Sequence, residues 1–354
     1  MKIDELLKLA VAKGASDIHL AAGTPVFMRV DGALSPLEDS PLTAEASKEL
    51  CYSILTEPQK KKFESLKELD FSYGISGVGR FRGNCYFQRG SVGATFRIIS
   101  DKIPDFEQLG LPAETIKKLC AMPHGLVLVT GSTGSGKSTT LASMVNYINE
   151  TRQCHIVTIE DPIEYLFKRK QSYIRQREVG SDTISYDQAL IHSLRQDPDV
   201  LLIGEIRDLE SVSSTLRLAE LGRLAFSTLH CGEAGEVINR VIDIFPANQQ
   251  SQIRVQLSLT LMGVIAQQLL PRAGSQGRVL AAEVMIVTPA IRNLIREGKP
   301  QEIASHIQMG GQYGMTTMNQ SLRKLCHENK ITQETALNAS ANPKELKELL
   351  AKDC

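Results

Sequence analysis

The chain has 354 residues, more than one typical hydrophobic core organises, so two domains are the default expectation. Forty basic residues balance forty acidic ones, which argues against a protein that follows nucleic acid by a general basic excess. The seven cysteines, at 51, 85, 120, 154, 231, 326 and 354, include no C-x-x-C pair, which speaks against a zinc module and for free thiols in a reducing compartment. No run approaches the roughly 18 apolar residues of a spanning helix. The best candidate, 257–270, is broken by Ser258, Gln267 and Gln268. The first seven residues carry early acids and lack the apolar segment of a signal peptide. The expectation is a soluble, cytoplasmic protein without a transmembrane segment.

In chain order, Ile3, Leu6, Leu7 and Ala10 stand at helical spacing, and Gly14 ends that short amphipathic helix. Residues 16–20 and 25–30 read as strands, with Asp31-Gly32 turning the chain toward Ala33-Leu34, and 43–55 reads as a helix. His19 alternates with apolar neighbours and reads as structural. Residues 71–73, 79–87 and 94–99 have strand composition, with Gly90-Ser91 as a turn. Arg80 and Arg82 are two apart and share a face. With Arg89 and Arg97 they form either a solvated surface or guanidinium forks suited to a phosphate. Residues 100–112, with two prolines, read as an interdomain linker.

The segment Gly131-Ser132-Thr133-Gly134-Ser135-Gly136-Lys137-Ser138 follows the apolar run 126–130 and precedes the helix-like 139–149. That is the strand, glycine turn and helix context of a phosphate loop. Backbone N–H groups from Ser132 to Thr139 converge on phosphates at the helix start, Lys137 reaches the outer phosphates, and Ser138 holds magnesium. Three further apolar runs lead into polar residues: 156–159 into Glu160, Asp161 and Glu164, 200–204 into Glu205, and 224–227 into His230. Alternating with helical segments at 186–195 and 210–221, they predict a parallel sheet buried on both faces, with ligand at the C-terminal strand ends. The phosphate loop, Glu164, Glu205 and His230 are therefore expected at one edge. Hydrolysis of a nucleoside triphosphate needs phosphate neutralisation, a metal and an oriented water. Glu205 suits the magnesium and its waters, and His230 suits the terminal phosphate. One of Glu160, Asp161 and Glu164 would polarise the water, with Glu164 favoured. The bland alternatives are a turn at Asp161-Pro162, a salt bridge between Glu205 and Arg207, and a capping role for His230.

These residues resemble the PilT-type twitching-motility ATPases of the secretion ATPase superfamily. Residues 131–138 match the Walker A loop, 159–164 the acidic box, 197–208 the Walker B region and 227–230 the histidine box, with further likeness at 15–20 and 79–82. Residues 290–297, AIRNLIRE, match the retraction-type signature letter for letter. On physical grounds this is a surface helix capped by Thr288, entered at Pro289 and stopped at Gly298, with Ile291, Leu294 and Ile295 on an apolar stripe. Arg292 with Arg296 and Asn293 with Glu297 stand four apart on the polar face. The resemblance makes this helix a coupling element. Extension relatives commonly carry a four-cysteine zinc module and a longer N-terminus, and this chain has neither.

The resemblance implies an α/β chain: a PAS-like α+β domain at 1–99, a RecA-like P-loop core at 113–272 and a helical extension at 273–354. It implies a homohexameric ring that binds ATP and Mg between the two domains, with Arg82 and Arg97 reaching the phosphates. It further implies a cytoplasmic protein held at the inner membrane through a pilus platform protein, with a paralogous retraction ATPase as a possible partner and no direct contact with nucleic acid. A related extension, secretion or DNA-uptake ATPase, or a slow accessory subunit, would share the nucleotide boxes. The chain departs from the family at Arg223, where histidine is common, at Cys231-Gly232 in place of Thr-Asn, and at Ile191 in place of a frequent arginine. Arg223, seven residues before His230, would lie about 20 Å away at the far end of the strand, suited to a subunit contact.

Overall fold

A computed structural model describes residues 2–30, 32–100, 102–274 and 276–351. The chain divides into two compact units, Met1–Lys102 with Glu164–Leu166, and Ile103–Ile163 with Phe167–Cys354.

The first unit is an antiparallel sheet with helices. Its strands are β1 (Asp17–Leu20), β2 (Phe27–Val30), β3 (Ala33–Pro36), β4 (Glu68–Ile75), β5 (Gly79–Gln88) and β6 (Ser91–Ile99), in the order β3-β2-β1-β6-β5-β4. The helices Ile3–Ala12, Ala44–Tyr52 and Glu57–Leu66 contribute Leu6 and Leu7, Cys51, and Phe63, in that order, to one core with Ile18, Phe81 and Phe96. Thr43 caps the second helix by accepting the Ala46 N–H. The turn between β5 and β6 falls at Arg89-Gly90, both at positive φ, one residue earlier than expected. Of the expected Asp31-Gly32 turn, Asp31 lies outside the described residues.

The second unit holds β7 (Gly125–Thr130), β8 (His155–Glu160), β9 (Tyr173–Glu178), β10 (Val200–Ile203), β11 (Leu224–Leu229), β12 (Leu261–Pro271) and β13 (Arg278–Ile286). They form one sheet, β13-β12-β7-β11-β10-β8-β9, parallel except for β13. Alternate residues enter opposite cores: Leu126 and Leu128 one, Val127 and Val129 the other. A strand with both faces buried is apolar at every position, which explains the continuous runs. The helix Lys137–Thr151 covers one face through Leu141, Met144 and Ile148, and the helices Leu209–Glu220 and Ala234–Asp243 cover the other through Leu216, Ile238 and Val241.

Two expectations, on the linker and on the extension, are corrected, and two segments have structure that the sequence did not announce. The linker at 100–112 is largely part of the second unit: Asp105 caps a short helix, Phe106–Leu109, and Phe106 is buried against Tyr147 at 5.5 Å between ring centres. Residues 257–270, read as a broken apolar run, are the end of the helix Ala247–Thr260 followed by β12. The extension from 273 opens with a strand, β13, before its helices. The edge strand β9 has no counterpart in the sequence reading, because its residues, Tyr-Ile-Arg-Gln-Arg-Glu, carry no apolar run. Among the described residues no helix is long and apolar enough to cross a membrane, and six cysteines are free thiols.

Candidate nucleotide-hydrolysis site

The phosphate loop needs its glycines for space as well as conformation. Gly131 has φ +144, and a Cβ there would lie 2.3 Å from the Gln267 carbonyl oxygen. Gly136 has φ +91 and is the N-cap of the helix Lys137–Thr151. Ser132, Thr133, Gly134 and Ser138 are exposed, whereas Ser135 and Lys137 are buried. The Lys137 ammonium donates to the carbonyls of Gly131 (2.8 Å) and Ser132 (3.0 Å). Burial pulls its pKa below the usual lysine value, and the nearby negative charge of Glu205 opposes that shift. A cation is thus held within the loop, in surroundings that strengthen its attraction for an anion.

Gln267 is a site residue that sequence reasoning missed. Fully buried on β12, it donates to the Ser135 carbonyl (2.7 Å) and accepts from the Thr140 hydroxyl (3.0 Å), so it braces both ends of the loop's second half. The available signal was a buried amide inside an apolar run, a placement that costs free energy unless both ends of the amide find partners. Beside it lies a cavity of ≈ 280 Å³ walled by Gly136, Thr139, Thr140, Leu269, Arg278 and Leu280.

The strands β7, β11 and β10 are neighbours, and parallel pairing puts their ends on one side: Thr130 opposes Leu229, and Ser227 opposes Ile203. Gly131, His230 and Glu205 therefore leave the sheet at one edge. One Glu205 oxygen accepts from Arg207 (2.7 Å), and the other lies 3.2 Å from His230 Nε2. The salt bridge to Arg207 and the contact with His230 thus coexist on one carboxylate. The backbone around them is pinned. Thr228 Oγ1 donates to the Gly204 carbonyl (2.7 Å), and Thr130 Oγ1 accepts the Cys231 N–H (2.7 Å). Gly204 has no room for a side chain, since a Cβ would meet Tyr186 Oη at 2.7 Å. Burial pushes the Tyr186 phenol up, and the charges of Asp161, Glu160 and Glu205 add to that.

Glu164 is not brought to that edge by a strand end. It stands four residues past β8 and groups with the first unit, where Tyr165 bridges to Ser100 and the Leu166 N–H donates to the Ser100 carbonyl (3.3 Å). Of the other acids in this box, Glu160 closes β8, is buried, and accepts from Thr158 (2.7 Å) and Gln176 (3.3 Å).

In the first unit Arg29, Asp17, Arg97 and Arg82 oppose one another in a single row across β2, β1, β6 and β5. Arg97 Nε donates to Asp17 at 2.8 Å. Burial pushes the Asp17 carboxyl up, but hydrogen bonds from Arg97 and Ser16 outweigh it and hold the group below the usual aspartate value. Arg82 is exposed directly opposite Arg97, a like-charged pairing that Asp17, on the other side of Arg97, offsets in part. His19 lies 3.4 Å from the Thr95 hydroxyl, inside the sheet.

The family of type II/IV secretion system proteins matches residues 93–349. The type IV pilus retraction ATPase PilT of Pseudomonas aeruginosa is 46% identical over 343 residues, covering 97% of this chain and 99% of that protein. The chain belongs to the PilT-type secretion ATPases. The type IV pilus ATPase PilU of the same organism is 40% identical, covering 95% of this chain and 88% of that protein. The type IV pilus assembly ATPase PilB of Acinetobacter baylyi is 28% identical, covering 94% of this chain and 66% of that protein. A crystal structure of the pilus retraction motor PilT with bound ADP matches with a TM-score of 0.91 at 51% identity, covering 98% of this chain and 99% of that one.

The segment 290–297, which resembles a retraction-type signature, lies in a helix over Pro289–Glu297. Thr288 accepts the Ile291 N–H, Gly298 ends the helix at φ 72, and Ile291, Leu294 and Ile295 are buried. On the polar face Asn293 donates to Glu297 (2.7 Å) and accepts from Arg296, so Arg296 bonds the residue three before it. Arg223, one of the departures from the PilT-type pattern, precedes β11 at the strand end opposite His230 and donates to Asp197 within its own unit (3.2 Å).

Proposed function

We propose that this chain is the motor ATPase of type IV pilus retraction, hydrolysing ATP at the sheet edge formed by residues 131–138, Glu205 and His230 and acting as a homohexamer. The observation that carries the reading is the convergence of Lys137, Glu205 and His230 from three neighbouring strand ends, in a chain 46% identical to a pilus retraction ATPase. Identity to a pilus assembly ATPase is lower, 28%.

The backbone of Ser132 to Thr139 would receive the phosphates, with Lys137 exchanging the loop carbonyls for the outer phosphate oxygens. The cavity between Thr139 and Leu280, with leucines and polar side chains in its wall, suits a flat base with polar edges. Ser138 and Glu205 offer oxygen donors alone, which fits magnesium, an ion that takes one or two protein oxygens and completes its shell with phosphate and water. When bound, it neutralises charge on the transferred phosphoryl group. Glu205 and His230 lie in contact, 3.2 Å apart, so a shift of either at the terminal phosphate is felt by the other. Glu164 lies beyond the end of β8, so its role of polarising the attacking water requires that the chain past Glu160 approach the terminal phosphate during turnover. Arg82, opposed to Arg97 without a carboxylate between them, is the anion contact that the first unit supplies. Hydrolysis would drive a platform protein of the inner membrane from the cytoplasmic side, with a paralogous ATPase as a possible partner. Measuring ATP turnover and particle mass on one purified sample tests this: a hexamer that turns over ATP is expected, and a monomer without turnover contradicts it.

A further inference from the structure

Glu283 is an acid in the middle of an apolar strand, and it is 8% exposed. Its two oxygens accept N–H groups from the first residues of two different helices. Oε1 accepts from Ala234 at 2.8 Å, and Oε2 accepts from Met318 at 3.3 Å. The helix Ala234–Asp243 has no side-chain cap of its own, and the first amides of any helix lack partners within it. One buried carboxylate thus supplies both helix starts, whose partial positive charge in turn favours its ionised form. Burial pushes its carboxyl up against these two bonds.

Position gives this arrangement its meaning. Glu283 on β13 opposes Ala266 on β12, and Ala266 opposes Thr130 on β7, the residue that enters the phosphate loop. Thr130 grips Cys231, and Glu283 grips Ala234. His230 therefore begins a short loop anchored from a single row across the sheet. The other Glu283 oxygen grips Met318, and the adjacent Val284 pairs with Thr316 in both directions, at 2.8 and 3.1 Å.

We propose that Glu283 is a positioning residue for ATP hydrolysis, which fixes the His230 loop beside the phosphate loop and ties it to the helix Met318–His327. When His230 shifts with the state of the nucleotide, the start of the Ala234 helix shifts with it. The shared carboxylate carries that movement to the C-terminal helices. This inference rests on His230 belonging to the hydrolytic site.

The test begins with Glu283→Gln, which keeps the side-chain shape but turns an amide NH₂ toward one of the two donors. The expected result is a roughly tenfold fall in kcat with the KM for ATP held within about twofold, since a misplaced group that acts only in the transition state lowers kcat alone. Amide exchange at 231–236 and 317–320 should quicken while β12 and β13 stay protected. Ala234→Pro probes the same link without altering the carboxylate. Proline suits the first helical position, and Glu233 is already extended at φ -126 and ψ 152. It should reproduce the kcat loss with the Met318 amide still protected. The unaltered protein offers a check independent of any variant: Ala234 and Met318 amides should exchange more slowly than that of Gln333, the exposed first residue of another helix. Normal turnover in His230→Ala would remove the site reading and this inference with it. A loss there, combined with an unchanged kcat in Glu283→Gln or with fast exchange at both amides in the unaltered protein, overturns the inference and leaves the site reading standing.

Discussion

The phosphate-loop edge and the Pro289–Glu297 helix belong to one unit, yet they hold their polar groups in opposite ways. At the edge, Glu205 meets the side chains of Arg207 and His230, and the surrounding side chains are tied to backbone: Lys137 to Gly131 and Ser132, Thr130 to Cys231, Thr228 to Gly204, and Gln267 to Ser135. On the helix, the apolar stripe is buried while Asn293, Arg296 and Glu297 bond to one another along the polar face. A site that must stabilise a transition state benefits from groups fixed in advance. A face whose polar groups are linked only locally can exchange those links for a partner. If the Pro289–Glu297 helix carries the output, chemistry and output are built separately, and substitutions should separate them too.

The largest effect is expected at the edge. Lys137→Ala should abolish ATP turnover, a loss on the order of a thousandfold, and Glu205→Ala should come close to it. A steady-state phosphate-release assay on either purified variant checks this, and undiminished rates would remove the site assignment. Next comes Gln267→Leu, which leaves the Ser135 carbonyl and the Thr140 hydroxyl without their buried partner. A cost of about 1–3 kcal/mol should weaken nucleotide binding roughly ten- to hundredfold. Calorimetric titration with ADP would show it, and unchanged affinity would mean that the loop holds its shape unaided.

A smaller effect belongs to the first unit. Asp17 titrates below the usual aspartate value, so its contribution to stability is present above that value and is lost as the pH falls through the folded value. Arg97→Ala should raise the Asp17 pKa in an NMR titration and blunt this acid sensitivity. Because Arg97 is largely exposed, the stability change should stay within about 1 kcal/mol. An unmoved Asp17 would show that the pair is not coupled, leaving Arg97 free for a phosphate.

The strand, loop and helix around Lys137 were legible in the sequence because every residue there obeys one local rule. Both-face burial makes the strands of the sheet interior apolar throughout, and glycines mark where the backbone must turn. The placements of Glu205 and His230 followed from parallel pairing alone. Gln267 and Glu283 were not legible, since each is one polar residue in an apolar strand whose partners come from distant segments. Gln267 even read as an interruption of an apolar run, when it is a brace for the phosphate loop. Residues 100–112 read as linker because two prolines outweighed Phe106, whose burial depends on a tertiary neighbour, Tyr147. Glu164, expected at the strand ends, stands four residues past β8 and groups with the first unit, so parallel pairing of the sheet does not fix its place.

The separation of chemistry from output is tested most directly by Arg292→Ala, with ATP turnover of the purified protein and pilus retraction in cells measured for the same variant and compared with Lys137→Ala. Arg292 lies on the Pro289–Glu297 helix, partly exposed, and is not part of the phosphate-loop edge. Lys137→Ala should lose both activities, whereas Arg292→Ala should keep most of its turnover and stop retraction. Equal loss of turnover and retraction in Arg292→Ala would contradict the separation.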